Sequence, residues 1–395
     1  MGRLCILADN EIHAMNILHS TDQHDRAKYG IAFAVNEIIA QTSPLLSPHG
    51  AVSLLSAAGA DVDVPAGTSH FCSQANAAWS GRWRFVPHYR ETCERVIRAQ
   101  DIAVLHMHGV WTHPTFAANR AALRCGVPTV LTTHGHLMPW ALRQPGRLGA
   151  LRKKLYLKLM NKPLFQTISA LHAITPPERD GLHELFPGKR IEVIPNAIDL
   201  VQFDRLAPSG PSGPIERYFL FVGRLHPGKG VDVLVDAFMR ANISRDWRLI
   251  VVGPPEDAEY ADRVRRAATS GERGSSIEWR GPVWDPAEKY ALMRGAWAVV
   301  LPSHSEVISF VNLEASACCT PTITTPHTGL SDWEEGGGVL AEPDVASLRA
   351  AIEASTRWSE TERDERGRAS RGLVEQRYST SATAPRWVEL YSSLC

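Results

Sequence analysis

Apolar residues in this chain cluster in short segments, unbroken at Trp297–Leu301, separated by stretches with helical spacing. Met15–Ser20, Ala51–Ser56, Trp83–Pro87, Ala103–Met107, Pro128–Thr132, Ala170–Thr175 and Ile191–Pro195 lie in the first half. Tyr218–Val222, Trp247–Gly253, Ile277–Arg280, Trp297–Leu301, Thr322–Thr325 and Gly336–Leu340 lie in the second. Runs without alternation predict strands of parallel sheets covered on both faces. Between them, Ile31, Ala34, Val35, Ile38 and Ile39 keep a 3.6-residue period, as do Val231, Leu234, Val235 and Phe238. Further helices are predicted over Tyr89–Ala99, Thr115–Arg124, Pro177–Phe186, Ala258–Ala268, Pro286–Arg294, Val345–Thr356 and Ser379–Tyr391. Strand and helix alternate in both halves, which predicts an α/β chain of two Rossmann-like, doubly wound parallel-sheet domains facing across a cleft.

With 395 residues the chain is too long for one core. Leu206–Pro214, LAPSGPSGP, has linker composition. The expected domains are therefore 15–205 and 216–378, joined by a linker at 206–215. Residues 1–14 leave two readings: an extension before a start at Met15, or an edge strand at Leu4–Leu7. Lysine and arginine balance aspartate and glutamate at 42 each, so a nucleic-acid partner is not expected. No apolar run is long enough to span a bilayer. The seven cysteines are scattered, without C-x-x-C spacing, which suits a reducing cytoplasm and not a zinc site.

Candidate chemistry centres on Pro302–Thr325, PSHSEVISFVNLEASACCTPTITT, a loop and helix between two strands. Glu306 precedes the predicted helix start at Ser309 or Phe310, and Glu314 lies one turn inside it. The first N–H groups of such a helix favour a phosphate. A second anion site is predicted at Gly223-Arg224-Leu225-His226-Pro227-Gly228-Lys229-Gly230, where Arg224 and Lys229 bring two positive charges to a strand–helix turn. Gly30 opens the first helix, either as a turn residue or as a phosphate-facing one. His134 ends a strand, a place suited to chemistry. His106, His108, His113 and His136 resemble a metal set only loosely, lacking a helical pair or a cysteine partner, and no metal is expected. From Arg143 to Lys162 the chain carries Arg143, Arg147, Arg152, Lys153, Lys154, Lys158 and Lys162 and no acid, with Leu148, Leu151, Leu155 and Leu159 on one stripe. Two readings stay open: a helix lying on an anionic membrane, or one docked by its leucines with its bases in water.

The wording from Ser305 to Thr325 resembles the E-x7-E signature of retaining glycosyltransferases of the GT-B fold, the large family four. Gly223–Gly230 is similar to that family's G-R-x-x-x-x-K-G diphosphate site, and Ile194–Asp199, IPNAID, to its P-N-G-V-D hinge. The chain departs at Val307, Ile308 and Ser309, where Gly-Phe-Gly is common, and at Ala197 and Cys319, where Gly is common. The resemblance implies a transferase moving a hexose from a nucleoside-diphosphate sugar, with retention and without a metal or other cofactor. It implies donor contacts at Gly30, Gly223, Arg224, Lys229, Pro282, Val283, Glu306, Ser309, Phe310, Val311 and Glu314. His134, Glu306, Arg224 and Lys229 would serve the reaction, Glu314 the ribose. It also implies a helix at 379–395 crossing back to the first domain. The stretches HGVWTHPTFAANRAAL and THGHLMPWAL look like bacterial enzymes of lipopolysaccharide or exopolysaccharide assembly, which implies a lipid-linked acceptor and a cytoplasmic, membrane-peripheral protein. The alternatives are a nucleotide-sugar 2-epimerase on the same fold and an inactive sugar-binding homologue.

Overall fold

The computed structural model describes residues 15–22, 30–57, 64–73, 84–143, 146–206, 217–269, 273–330 and 332–395. The extension at 1–14, Trp83 and most of the linker lie outside them. The chain divides into two compact units, one of residues 1–197 and 381–395, the other of 198–380.

The first unit holds β1 (Asn16–Thr21), β2 (Val52–Ser56), β3 (Ser69–Cys72), β4 (Ile102–His108), β5 (Thr129–Thr132), β6 (Ala170–Ala173) and β7 (Ile191–Val193). They form one sheet in the order β3-β2-β1-β4-β5-β6-β7. The second unit holds β8 (Tyr218–Val222), β9 (Arg248–Val252), β10 (Ile277–Arg280), β11 (Ala298–Leu301), β12 (Thr322–Thr324) and β13 (Val339–Leu340), in the order β10-β9-β8-β11-β12-β13. Every pairing is parallel. The two doubly wound sheets make this a GT-B architecture. In each, strand order reverses once, between β1 and β4 and between β8 and β11, and ligands bind at the carboxyl ends of strands at such a point.

Helices cover both faces because each presents one apolar stripe. Val35, Ile38 and Ile39 of the Ile31–Leu46 helix pack with Ile17, Leu54 and Val104 of the strands. In the second unit Leu234, Val235 and Phe238 of the Val231–Arg240 helix pack with Phe219, Leu220 and Val251. The Thr380–Ser392 helix sends Trp387, Leu390 and Tyr391 into the core under β1, β2, β4 and β5. Phe203, on a Leu200–Leu206 helix that the sequence pattern does not predict, packs with its ring centroid 4.3 Å from that of Tyr290 and tilted by 43°, so this segment belongs with the second unit.

Three other differences have physical causes. The expected strand at Trp83–Pro87 is irregular from Arg84 onward: Arg84 and His88 take left-handed φ of 47° and 58°, which an extended strand does not allow. β3 is a partly exposed edge strand without an apolar run. The Glu360–Leu373 helix buries Arg363, Gly367 and Ser370 beside Leu373, so no apolar period marks it. Among the described residues no helix is long and apolar enough to cross a membrane.

Candidate active site

At the second unit's switch point, the loop after β8 and the loop after β11 are knitted together. The His304 amide donates to the Gly228 carbonyl at 3.0 Å. Gly230 has a left-handed φ of 64°, and a Cβ there would stand 2.3 Å from the Pro302 carbonyl oxygen, so only glycine permits this approach. The contact brings Lys229 Nζ to 2.8 Å from a Glu306 carboxylate oxygen, with both side chains mostly buried.

Glu306 is fixed from three sides. Ser303 Oγ donates to its Oε1 at 2.5 Å, and its amide donates to the His327 carbonyl at 2.8 Å. Thr325 Oγ1 donates to the Ser303 carbonyl at 2.6 Å, tying the loop after β11 to that after β12. Asn312, on the next helix, is tied by its amide to Thr324 Oγ1 at 2.9 Å. That helix runs Phe310–Ala317 with Ser309 at its N-cap and no side-chain cap hydrogen bond from Ser309.

The remaining charges pair differently from expectation. Arg224 turns to Glu256, on the loop after β9, at 2.6 Å. Lys289, from the Pro286–Gly295 helix, reaches Glu314 at 2.6 Å. Sequence reasoning had assigned no role to Glu256, Lys289 or Ser303, and nothing in their local spacing marks them. Pro282 and Val283 lie on the loop after β10, just ahead of the Lys289 helix. Gly223 continues β8, its amide donating to the Val252 carbonyl at 3.0 Å.

The missing glycines of the signature carry no backbone requirement at Val307 or Ser309: Ser309 has φ −90°, and Val307 is not among the residues with positive φ. Cys319 is different. Its φ is +56°, the left-handed region that glycine enters without strain.

In the first unit, Gly30 caps the Ile31–Leu46 helix with φ 118° and ψ −100°, a conformation that glycine alone adopts with ease. His134 sits in the turn after β5, also left-handed at φ 50°. The buried carboxyl of Glu178 holds this turn: it accepts from Thr133 Oγ1 and the Gly135 amide at 2.5 Å, and from the Ile174 amide at 2.8 Å. Burial raises its pKa, the three donors acting against that. Thr175 and Glu178 have capping-box spacing, and Thr175 caps the Pro176–Leu185 helix, so a sequence signal for Glu178 existed.

His106 and His108 do come together, with His19 and not with His113 or His136, their nitrogens within 4.8 Å. Both His106 nitrogens are engaged, Nδ1 by Tyr391 Oη at 2.8 Å and Nε2 by Thr132 Oγ1 at 2.7 Å. The geometry is that of a hydrogen-bonded core, and burial holds the His106, His108 and His134 pKa values well below the ordinary histidine range.

The basic segment resolves one open reading. Leu151, Leu155 and Leu159 are 64%, 55% and 62% exposed, and Arg152, Lys154 and Lys158 are exposed beside them. Leu151, Leu155 and Leu159 therefore do not dock the helix, and Leu148 lies outside the described side chains. Lys153, Tyr156 and Leu157 face inward instead, Lys153 donating to the Ala141 carbonyl at 2.6 Å. A π-helical turn at Leu157–Asn161 breaks the phase on which the docked reading relied.

Two Rossmann-like units, the second with a lysine–carboxylate pair between the loops after β8 and β11, define a two-sheet α/β protein of the GT-B fold class. Residues 216–356 match the family described as "Glycosyl transferases group 1", and residues 42–197 the "Glycosyl transferase 4-like domain". Each match covers less than half of the chain, and both models describe glycosyltransferases. It is 32% identical over 183 residues to a D-inositol 3-phosphate glycosyltransferase of Segniliparus rotundus, a match covering 42% of this chain and 40% of that protein. It is 26% identical over 321 residues to the alpha-maltose-1-phosphate synthase of Mycolicibacterium smegmatis, covering 75% and 80%. The fold is similar to that of sucrose-phosphate synthase from Thermosynechococcus elongatus, with a TM-score of 0.77 at 19% identity over 96% of this chain and 99% of that one.

Proposed function

We propose that this chain is a retaining glycosyltransferase that moves a hexose from a nucleoside-diphosphate sugar without a metal. The observation carrying this reading is the Lys229–Glu306 pair beside the Phe310 helix terminus. Cleavage of the anomeric bond leaves charge on the diphosphate. Lys229, Arg224 and the N–H groups of the first helical turn would stabilise that charge. The diphosphate would compete with Glu306 for Lys229, freeing the carboxylate to accept from sugar hydroxyls. Glu314 would accept from the ribose diol, Lys289 keeping one oxygen oriented. His134 would meet the reacting sugar. Retention would follow from attack on the leaving-group face, with the diphosphate oxygen taking the acceptor proton.

Two acceptor classes follow from different observations. The relatives' names point to a small phosphorylated acceptor. The exposed Leu151, Leu155 and Leu159, with Arg152, Lys154 and Lys158 beside them, favour a lipid-linked one, presented at the inner face of a membrane. Each base near an anionic surface contributes about 1 kcal/mol, lost as salt rises.

The test is purified protein with a panel of nucleotide sugars, following nucleoside diphosphate release, with the product anomer read by NMR. Turnover that survives chelator, with retention, supports the reading. Inversion, or loss of turnover on chelation, overturns it, and donor isomerisation without transfer indicates an epimerase. Flotation with vesicles containing phosphatidylglycerol decides the acceptor question. Binding that weakens with salt, and on Lys154→Glu and Lys158→Glu, favours the lipid.

A further inference from the structure

His134 stands at one end of a row of imidazoles that runs into the first sheet at its switch point. Its Nε2 lies 3.1 Å from His108 Nδ1 at the end of β4, and His108 Nε2 lies 2.9 Å from His19 Nδ1 on β1. His19 and His108 are fully buried, and their rings stack at 5.3 Å, 13° from parallel. His134 is half-buried, and its contact in the row uses Nε2, so Nδ1 is the ring nitrogen left for a ligand.

A neutral imidazole has one N–H and one lone pair, so His108 cannot donate toward both neighbours or accept from both. If His108 carries its proton on Nδ1, it donates to His134 and accepts from His19. If the proton is on Nε2, it donates to His19 and accepts from His134. In the first arrangement His134 is protonated at Nδ1 and offers a donor outward. In the second it is protonated at Nε2 and offers a lone pair. Any mixed arrangement sets two protons or two lone pairs against each other in a dry interior, where an unmet polar group costs about 1–3 kcal/mol.

A second row beside it shows how such a direction is imposed. His172 Nε2 faces the Ile194 carbonyl at 2.8 Å, and a carbonyl only accepts, so His172 donates there. Its Nδ1 then accepts from Thr132 Oγ1 at 2.8 Å, Thr132 accepts from His106 Nε2, and His106 Nδ1 accepts from the Tyr391 hydroxyl. One backbone oxygen orients every proton in that row.

We propose that His108 and His19 are positioning residues that set the tautomer of His134, and so decide whether its outward nitrogen offers a proton or a lone pair to the donor sugar. The second half of this statement rests on the reading of His134 as a sugar contact. The first half does not.

The experiment uses the full chain labelled with ¹⁵N-histidine at neutral pH. Ring nitrogen shifts and two-bond couplings read each tautomer, and single-histidine variants assign the signals. The expected result is one shared tautomer for His19, His108 and His134, and a mixed population at His134 in His108→Phe. With a donor that is turned over, His108→Phe lowers kcat by about tenfold or more with donor KM little changed. His108→Asn, whose amide stands where Nδ1 was, restores part of it. Differing tautomers along the row in the unaltered protein overturn the proposal, whether or not a variant folds. So does a His134 tautomer that is unchanged in His108→Phe. If no nucleotide sugar is turned over, the proposed function fails while the tautomer result still decides the row.

Discussion

The two sheets share a topology and use it in opposite ways. In the second unit the two strands at the switch point are apolar, YFLFV in β8 and AVVL in β11, and the charged groups stand in the loops and helices beyond them. In the first unit the strands themselves carry chemistry. His19, His106, His108 and His172 lie on β1, β4 and β6, fully buried, His106 joined to His172 through Thr132 of β5 and His108 joined to His19. Loop charges keep access to water and can exchange partners when an anion arrives. Strand histidines sit where ionisation is suppressed, so they work as neutral donors and acceptors of fixed geometry. A switch point can thus be built for charge or for proton placement, depending on whether the polar groups stand past the strand ends or within them.

The strongest way to break this comparison is at Glu178, the one fully buried carboxyl among the described residues of the first unit. Glu178→Ala leaves Thr133, Gly135 and Ile174 donors unmet and should destabilise that unit by roughly 3–5 kcal/mol, read as a lower denaturation midpoint. An effect below about 1 kcal/mol would mean that the His134 turn is held by other contacts.

Acid should separate the two units next. Burial pushes the His172 pKa down to about 4, and those of His106, His108 and His134 well below 6.5. Their unfolded forms bind protons first as pH falls, so the stability they contribute is present above about 6.5 and is lost toward the folded values. His172 alone accounts for roughly 3 kcal/mol once pH passes 4. Glu178 acts in the opposite direction, since its raised folded pKa restores stability as it protonates. Hydrogen exchange at falling pH should therefore show the first unit opening before the second.

In the second unit the expected losses are catalytic, not structural. Lys229→Ala and Glu306→Gln should each lower kcat about a hundredfold with the melting temperature nearly unchanged. Lys289→Ala should raise the donor KM by about tenfold and spare kcat more, because Glu314 is assigned to the ribose. Equal kcat losses at Lys229 and Lys289 would remove the distinction between the two acids.

Cys319→Gly gives the smallest expected effect. Relief of a left-handed residue should stabilise the second unit by about 1 kcal/mol, a rise of roughly 2–4 °C. It also asks whether this departure from the family wording carries a function that glycine would lose.

Much of this was legible because it is local. Unbroken apolar runs of the kind at Val299–Leu301 and Phe219–Phe221, bounded by turn residues and repeated between helical periods, suit buried parallel strands. Gly230 and Phe310 announce turns and helix starts through backbone constraints that act within a few residues. Glu306 and Lys229 could be named because their chemistry is written in one loop each. What only the tertiary structure decided is pairing across sequence distance. Glu256 meets Arg224, Lys289 meets Glu314, and His19 meets His108 because parallel strands set side by side residues that are far apart in the chain. The Glu360–Leu373 helix was hidden for the same reason. Arg363 is buried there because the carbonyls of Ala296 and Trp297 accept its protons, and Gly367 because a Cβ would strike the Cys319 carbonyl at 2.0 Å. An apolar period reports what a helix takes out of water, and it is silent where the buried face is held by hydrogen bonds and close backbone contact.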